Sequence, residues 1–403
     1  MRHATSQAED TKDTKDTKDT KDKDDTADSW KGRCSMDADR FARAALSRLA
    51  EPCDKEVRTL LDEVGAPEAV ARIRAGRGTL GRFRPRVASL DTERDLDIAA
   101  KVGARVVVPG DDEWPERLGS IPVPPYCLWV RGPLDLAETV ERSVAVVGSR
   151  TATAYGEQVA ADLAAGLAQR GWSVVSGAAF GIDGSAHRGA LAVDGATVAV
   201  LAGGVERPYP SAHATLIARI ARDGLVVSEV APGSAPMKSR FLARNRLIAG
   251  MTRGTVVVEA DLRSGSRNTV KHAIDAGRNV GAVPGPITSM TSSGCHQEIR
   301  DGRAVLVTSA SEVIDLVGDL GDDACEPARG PVLPEDALPS LDASVLEAVP
   351  FRSALPLDAI VRSAAQSPLA VRAALGRLER LGLVTESAGT WRKRPQRRLT
   401  AAR

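Results

Sequence analysis

The chain has 403 residues, 43% hydrophobic and 27% charged, which suits two or three soluble globular domains and excludes a wholly disordered protein. Its formal net charge of +1 excludes a uniformly basic nucleic-acid binder, so any such role has to come from local clusters of Lys and Arg. The five cysteines (Cys34, Cys53, Cys127, Cys295, Cys325) are scattered with no C-x-x-C pair and exclude both a disulfide framework and a zinc ribbon.

In chain order, Met1-Arg2-His3-Ala4 lacks the apolar run of a signal peptide, and no later stretch is apolar for long enough to cross a bilayer. The expectation is a cytoplasmic protein with no membrane partner. Residues 1–35 read as a disordered tail, because 9–25 repeat Glu-Asp-Thr-Lys-Asp with small variations and offer no apolar face. The alternating signs nearly cancel, which argues against a DNA-binding arm. Residues 36–104 read as a small helical domain of the SAM-like kind plus a connector. Phe41, Ala42, Ala45, Leu46 and Leu49 recur at helical spacing, and Leu60, Leu61 and Val64 do so again. Gly65 then stops a helix and Pro67 opens the next.

A proline-rich lead-in runs from Trp114-Pro115 through Pro122, Pro124 and Pro125 to Gly132. The main domain is expected over 105–317. Ser143–Val147, Ser173–Ser176, Thr197–Leu201, Leu225–Ser228, Thr255–Glu259 and Asn279–Val283 are short, β-branched and nearly continuously apolar, and helix-like segments fill the gaps. That alternation predicts an α/β fold, a Rossmann-like doubly wound parallel sheet covered on both faces, with ligands at the carboxyl ends of the strands. Residues 318–340, rich in Asp, Pro and Gly, read as a linker. Over 341–395, helix candidates at Ala343–Val349, Leu357–Ala364 and a third carrying Val371, Leu375, Leu378 and Leu381 precede a hairpin around Ser387-Ala388-Gly389. Three helices and a hairpin predict a winged helix. From Val371 to the end nine Arg or Lys stand against Glu379 and Glu386, and residues 396–403 form a basic tail. Such a module reads duplex DNA in some proteins and contacts protein in others.

The chemically informative strings fall at strand ends. Gly148-Ser149-Arg150 follows the first main strand: either a tight turn, or a cradle in which backbone N–H groups and Arg150 meet a phosphate. Asp183 and His187 lie four apart on one helix, as an acid–base pair, two metal ligands, or a cap and a structural imidazole. Met237 to Arg246 places Lys238, Arg240, Arg244 and Arg246 around Phe241. Cations plus a ring are the minimum kit for gripping single strands, each stacked base contributing roughly 1–3 kcal/mol. Arg244 and Arg246 point to different sides of a helix, so both cannot face one groove. Ser264-Gly265-Ser266, at another helix start, can donate to phosphate oxygens, and Pro284-Gly285-Pro286 is a rigid turn.

Together these strings resemble the DNA-processing protein A (DprA/Smf) family over about residues 105–305. The resemblance rests on V-A-V-V-G-S-R-x4-Y-G (Val144 to Gly156), S-G-A-A-x-G-I-D-x2-A-H-x-G-A-L (Ser176 to Leu191), Tyr209-Pro210, Ser228-Glu229, F-L-A-R-N-R (Phe241 to Arg246), Ser264 to Ser266 and Val283 to Gly285. Cys295-His296 and Glu298 depart from the residues more usual there. The resemblance implies a non-catalytic, usually dimeric carrier. It would protect incoming single-stranded DNA and help load RecA recombinase in transformation and recombination. Residues and resemblance together give an expected nucleic-acid-binding set of Gly148, Ser149, Arg150, Lys238, Arg240, Phe241, Arg244, Asn245, Ser264, Gly265 and Ser266. No catalytic residue, metal or cofactor is expected.

Two other functions have weaker support in the sequence. Nucleotide phosphoribohydrolases of the LOG or lysine-decarboxylase-like kind carry P-G-G-x-G-T-x2-E. Here Val270, Lys271 and His272 follow Thr269 with no carboxylate before Asp275, and losing a general acid–base group costs an enzyme about 10²–10⁴ in rate. A duplex-DNA regulator would instead place its specificity in residues 341–403. No H-x-H pair and no clustered carboxylates that would hold two metals suggest a nuclease.

Overall fold

The structure, a computed structural model, describes residues 38–319, 321, 323, 324 and 333–394. The expected tails, 1–35 and 396–403, and much of the expected linker lie outside the described residues. The chain divides into two compact units, one up to Cys325 and one from Glu326.

The first unit opens with helices. Residues 38–49 (α1) are followed by Lys55–Val64 (α2), Ala66–Ala75 (α3), Arg84–Ala88 (α4) and Thr92–Lys101 (α5). Asp54 caps α2 by accepting from Val57 N–H, and Gly65, at φ 76°, ends it where a side chain would be strained. Leu46, Leu49, Val57, Leu61 and Ile73 meet Phe83 and Tyr126 in one apolar cluster. Phe41, read from its spacing as part of that face, is 39% exposed instead.

A nine-stranded sheet follows: β1 Ala104–Val107, β2 Leu128–Arg131, β3 Ser143–Val147, β4 Ser173–Ser176, β5 Thr197–Leu201, β6 Leu225–Ser228, β7 Gly254–Val257, β8 Asn279–Ala282 and β9 Val305–Leu306. Its order is β1-β2-β6-β5-β4-β3-β7-β8-β9. From β6 to β9 every pairing is parallel, while β1 and β2 add an antiparallel border. The helices between strands are α6 Leu136–Glu141, α7 Ala154–Ala168, α8 Ile182–Ala192, α9 Ala214–Asp223, α10 Lys238–Met251, α11 Ser266–Asp275 and α12 Met290–Arg300, and α13 Ala310–Val317 follows the last strand. Alternation along β3 sends Val144 and Val146 to the side covered by α7, α8 and α13, and Ala145 and Val147 to the side covered by α10 and α11. Both faces are thus covered, which is why these strands read as continuous apolar runs.

The chain runs outward through β3, β4, β5 and β6, then returns along α10 to place β7 on the other side of β3. This reversal is a topological switch point, and it opens a crevice between the loops that leave β3 and β7. The proline-rich lead-in from Trp114 to Gly132 contains β2, and β1 lies just ahead of it. Strands of four residues separated by prolines show too little alternation to be recognised alone. Trp129 of β2 is fully buried and its indole N–H donates to Ser47 Oγ on α1 at 3.1 Å, tying the helical segment to the sheet.

The second unit holds α14 Ser340–Ala348, α15 Leu357–Ala364, α16 Pro368–Arg380 and a small antiparallel sheet of β10 Leu355–Pro356, β11 Val384–Ser387 and β12 Thr390–Lys393 in the order β10-β12-β11. Val345, Ile360, Leu375, Leu378 and Trp391 form its own core. Arg377 holds the buried Asp342 at 2.8 Å through Nε. Among the described residues no helix is long and apolar enough to cross a membrane.

Candidate nucleic-acid interface

The wall contributed by β3 begins at Gly148. A Cβ there would stand 2.5 Å from Ile182 and 2.9 Å from the Glu259 carbonyl, so glycine is required for α8 to pack against the strand end. Ser149 is buried: its N–H donates to Glu259 O at 2.7 Å and its hydroxyl accepts from Thr151 N–H at 3.2 Å. Arg150 emerges exposed. Behind them the Glu259 carboxylate accepts from Thr153 N–H (2.9 Å), Thr153 Oγ1 (2.7 Å) and Thr291 Oγ1 (3.1 Å), binding three loops at the carboxyl edge.

The opposite wall comes from α10 and the start of α11. Phe241, Arg244, Asn245 and Ile248 recur at helical spacing on the face of α10 toward the crevice. Phe241 is half-buried, with the Arg150 guanidinium 5.1 Å and the Arg244 guanidinium 5.9 Å from its ring centre, the geometry of cation–π contact. Arg244 is deeply buried and donates to the carbonyls of Gly177 (2.8 Å) and Val200. Burial lowers its pKa to about 10, with Asp183 acting against that and Arg150 adding to it. A Cβ on Gly177 would fall on this guanidinium, so the bare glycine makes room for the charge. Burial also raises the pKa of Asp183, which accepts from Gly177 N–H at 3.2 Å while Arg244 opposes the shift.

Asn245 reaches across to Asn268 Oδ1 (3.3 Å) and Gly265 O (3.4 Å), joining α10 to the Ser264-Gly265-Ser266 loop. Within the loop the Ser264 and Ser266 hydroxyls are 2.7 Å apart. Arg267, just beyond, donates to Glu298 at 2.6 Å, so one of the residues at which the sequence departs from the family pattern anchors this loop. The walls enclose a cavity of about 290 Å³ that brings together Gly148, Arg150, Phe241, Arg244, Asn245, Ser264, Gly265 and Ser266, with Asp183 in the lining.

Three expected contacts stand outside that lining. Ser149 lies behind the wall. Lys238 is exposed at the start of α10, three residues before Phe241, beside the cavity rather than in it. Arg240, expected among the DNA contacts, is turned away: it donates to both carboxylate oxygens of Glu51 (2.8 and 2.9 Å) and to Ala235 O (2.9 Å). A helix can present only part of a cation cluster to one groove. Arg246, likewise on the far side, is buried against Glu229 and donates to Cys53 Sγ at 2.9 Å.

Asp183 and His187 do not act on each other. The Thr197 hydroxyl donates to Val174 O, so it accepts from His187 Nδ1 at 2.8 Å, and burial lowers the imidazole pKa to about 3. No cluster that could hold a metal ion occurs among the described residues. Asp183, read from the sequence as an acid–base partner, a metal ligand or a helix cap, instead lines the crevice, and two rings at its mouth, Tyr209 and Phe180, each 46% exposed, were not among the expected contacts. The signal was present, since aromatics make up only 3% of the chain and each one outside a core calls for an explanation.

Comparison with known proteins gives a consistent result. The DNA recombination-mediator protein A family profile matches residues 105–318. A putative DNA processing protein DprA from Mycobacterium tuberculosis is 45% identical over 372 residues, 89% of this chain and 95% of its own length. DNA processing protein DprA from Streptococcus pneumoniae is 44% identical over 204 residues, 51% of this chain and 71% of its own. The X-ray structure of the S. pneumoniae protein superposes with a TM-score of 0.60 at 35% identity, covering 70% of this chain and 98% of that one.

Proposed function

The chain belongs to the DNA recombination-mediator protein A family, also called DprA or Smf, and from that membership we propose that its crevice grips single-stranded DNA without cutting it. The observation that carries the reading is the Phe241 ring, half-buried at the switch-point crevice with the Arg150 and Arg244 guanidinium groups beside it. An aromatic ring at a crevice suits any base, because every base has a π-face, and cations with serine hydroxyls suit the phosphates between bases. Arg150, Lys238, Phe241, Arg244, Asn245, Gly148 and the Ser264-Gly265-Ser266 loop are the proposed contacts. Ser149 and Arg240 support them from behind.

The fuller role is protection of incoming single strands and delivery to RecA recombinase during transformation and recombination, by a homodimer. The second unit is a winged helix, supported by its three helices and its small antiparallel sheet. Mobility-shift titrations of the full chain with single- and double-stranded oligonucleotides of the same sequence test the central reading. Single strands are expected to be preferred, with affinity falling as salt rises. Equal retention of both forms at every salt concentration would overturn it. Incubation with nucleoside monophosphates tests the non-catalytic part: release of free base would assign hydrolysis to the same crevice.

A further inference from the structure

We infer that Phe241 divides the crevice into two adjoining subsites, and that the second, built by Tyr209 and Phe180, receives the base of the next nucleotide on the same strand. The inference rests on the single-strand reading above and assigns two residues that reading leaves unused.

The crevice continues past Phe241 into a smaller cavity of about 70 Å³, lined by Arg150, Gly177, Ala179, Phe180, Tyr209 and Phe241, together with Pro210. Arg150 and Phe241 line both cavities, so they form the partition between them. Tyr209 stands 5.4 Å from Phe241 between ring centres, tilted by 52°. Rings tilted in this way offer two differently directed faces, which serve two bases and not one base clamped between parallel planes. Phe180 packs edge-on against His213 at 4.9 Å, and His213 Nδ1 is itself held to Ala178 O at 3.0 Å. Each ring therefore rests against one neighbouring ring while its residue stays 46% exposed.

Large rings that are held in place yet left half-exposed are poor core residues and good stacking platforms, because ordering them in advance removes an entropy cost from binding. The Arg150 guanidinium, over Phe241 and on the border of both cavities, is placed for the phosphate that links the two nucleotides. The ligand is thus a dinucleotide step of an unpaired strand, indifferent to base identity because every base has a π-face.

Fluorescence anisotropy on the full-length protein tests this with strands of equal length and equal charge: all abasic, one central thymine among abasic sites, two adjacent thymines, and all thymine. In the wild-type protein the second thymine is expected to tighten binding by about 5- to 150-fold over the first. Tyr209→Leu and Phe180→Leu are each expected to lose much of that gain while binding the one-thymine strand as wild type does, and Tyr209→Phe to keep it. A second thymine that adds nothing in wild type overturns the inference. So does a Tyr209→Leu variant that weakens one- and two-thymine strands equally, because the ring then acts only by supporting Phe241. Thermal melting of each variant separates these outcomes from unfolding. If wild type binds all-thymine and all-abasic strands alike, the parent reading of Phe241 as a stacking ring fails, and that result is distinct from the loss of the second subsite alone.

Discussion

His187 of α8 is fully buried, with its Nδ1 proton given to Thr197 and its Nε2 left without a partner. Protonating Nε2 would put a charge where nothing accepts it, and burial holds the group near 3 against an ordinary value of 6.5. The unfolded chain takes up this proton at a pH where the folded chain does not. Stability is therefore complete above the ordinary value and declines as pH falls from 6.5 toward 3, by about 1.4 kcal/mol per pH unit. Denaturant unfolding at pH 7 and pH 5 is expected to differ by about 2 kcal/mol, and His187→Asn is expected to flatten the difference; an unchanged slope in that variant would assign the loss elsewhere. Gly177 makes a second case. Gly177→Ala sets a methyl group against the Arg244 guanidinium and is expected to weaken single-strand binding at least as much as Phe241→Ala, about 5- to 150-fold. Wild-type affinity in Gly177→Ala, measured by anisotropy, would show that the position of Arg244 is immaterial.

At the scale of elements, α10 has two working sides. Phe241, Arg244 and Asn245 face the crevice, while Arg240 and Arg246 hold Glu51, Cys53 and Glu229. The Arg240 hydrogen bond keeps Glu51 below the usual carboxylate range against the opposing effect of burial, and Arg86 adds to it. Replacing Arg240 with Ala is expected to cost about 1 kcal/mol of stability and leave the salt dependence of DNA binding unchanged. Lys238→Ala, from the exposed start of the same helix, should instead reduce that salt slope by about 0.7. Identical salt slopes for the two variants would contradict the division. Such a division of one helix is only partly legible in sequence. Helical spacing separates Arg244 from Arg246, but it does not say which side carries the partner carboxylates, because Glu51 and Glu229 lie far away in the chain. The parallel strands were legible because burial on both faces leaves continuous β-branched runs. The two border strands were not, since strands of four residues carry too little alternation to read. The Gly148 and Ser264 loops could be placed because ligands gather where strands end. Tyr209 stands out in the sequence only as part of a Tyr-Pro motif, and its approach to Phe241 depends on a fold that joins residues 209 and 241 in space.

At the scale of the molecule, the boundary between units falls after Cys325, and none separates the first helices from the sheet. Tyr126 packs among those helices, and Trp129 donates to Ser47. A chain ending at 325 is therefore expected to bind single strands with close to full-length affinity. A chain beginning at 105 would expose Trp129, Cys127 and Tyr126 and is expected to aggregate. Gel filtration and anisotropy on the two truncations check this, and a soluble, fully active 105–325 fragment would refute it. The crevice also lies where the order of strands reverses, so its walls arrive at widely separated times during synthesis. Gly148 and Arg150 leave the ribosome long before Ser264 and Ser266, and the gap closes only once β7 has slotted in beside β3. A nascent chain accordingly has no grip to offer, and capture of DNA becomes a property that only the finished protein acquires.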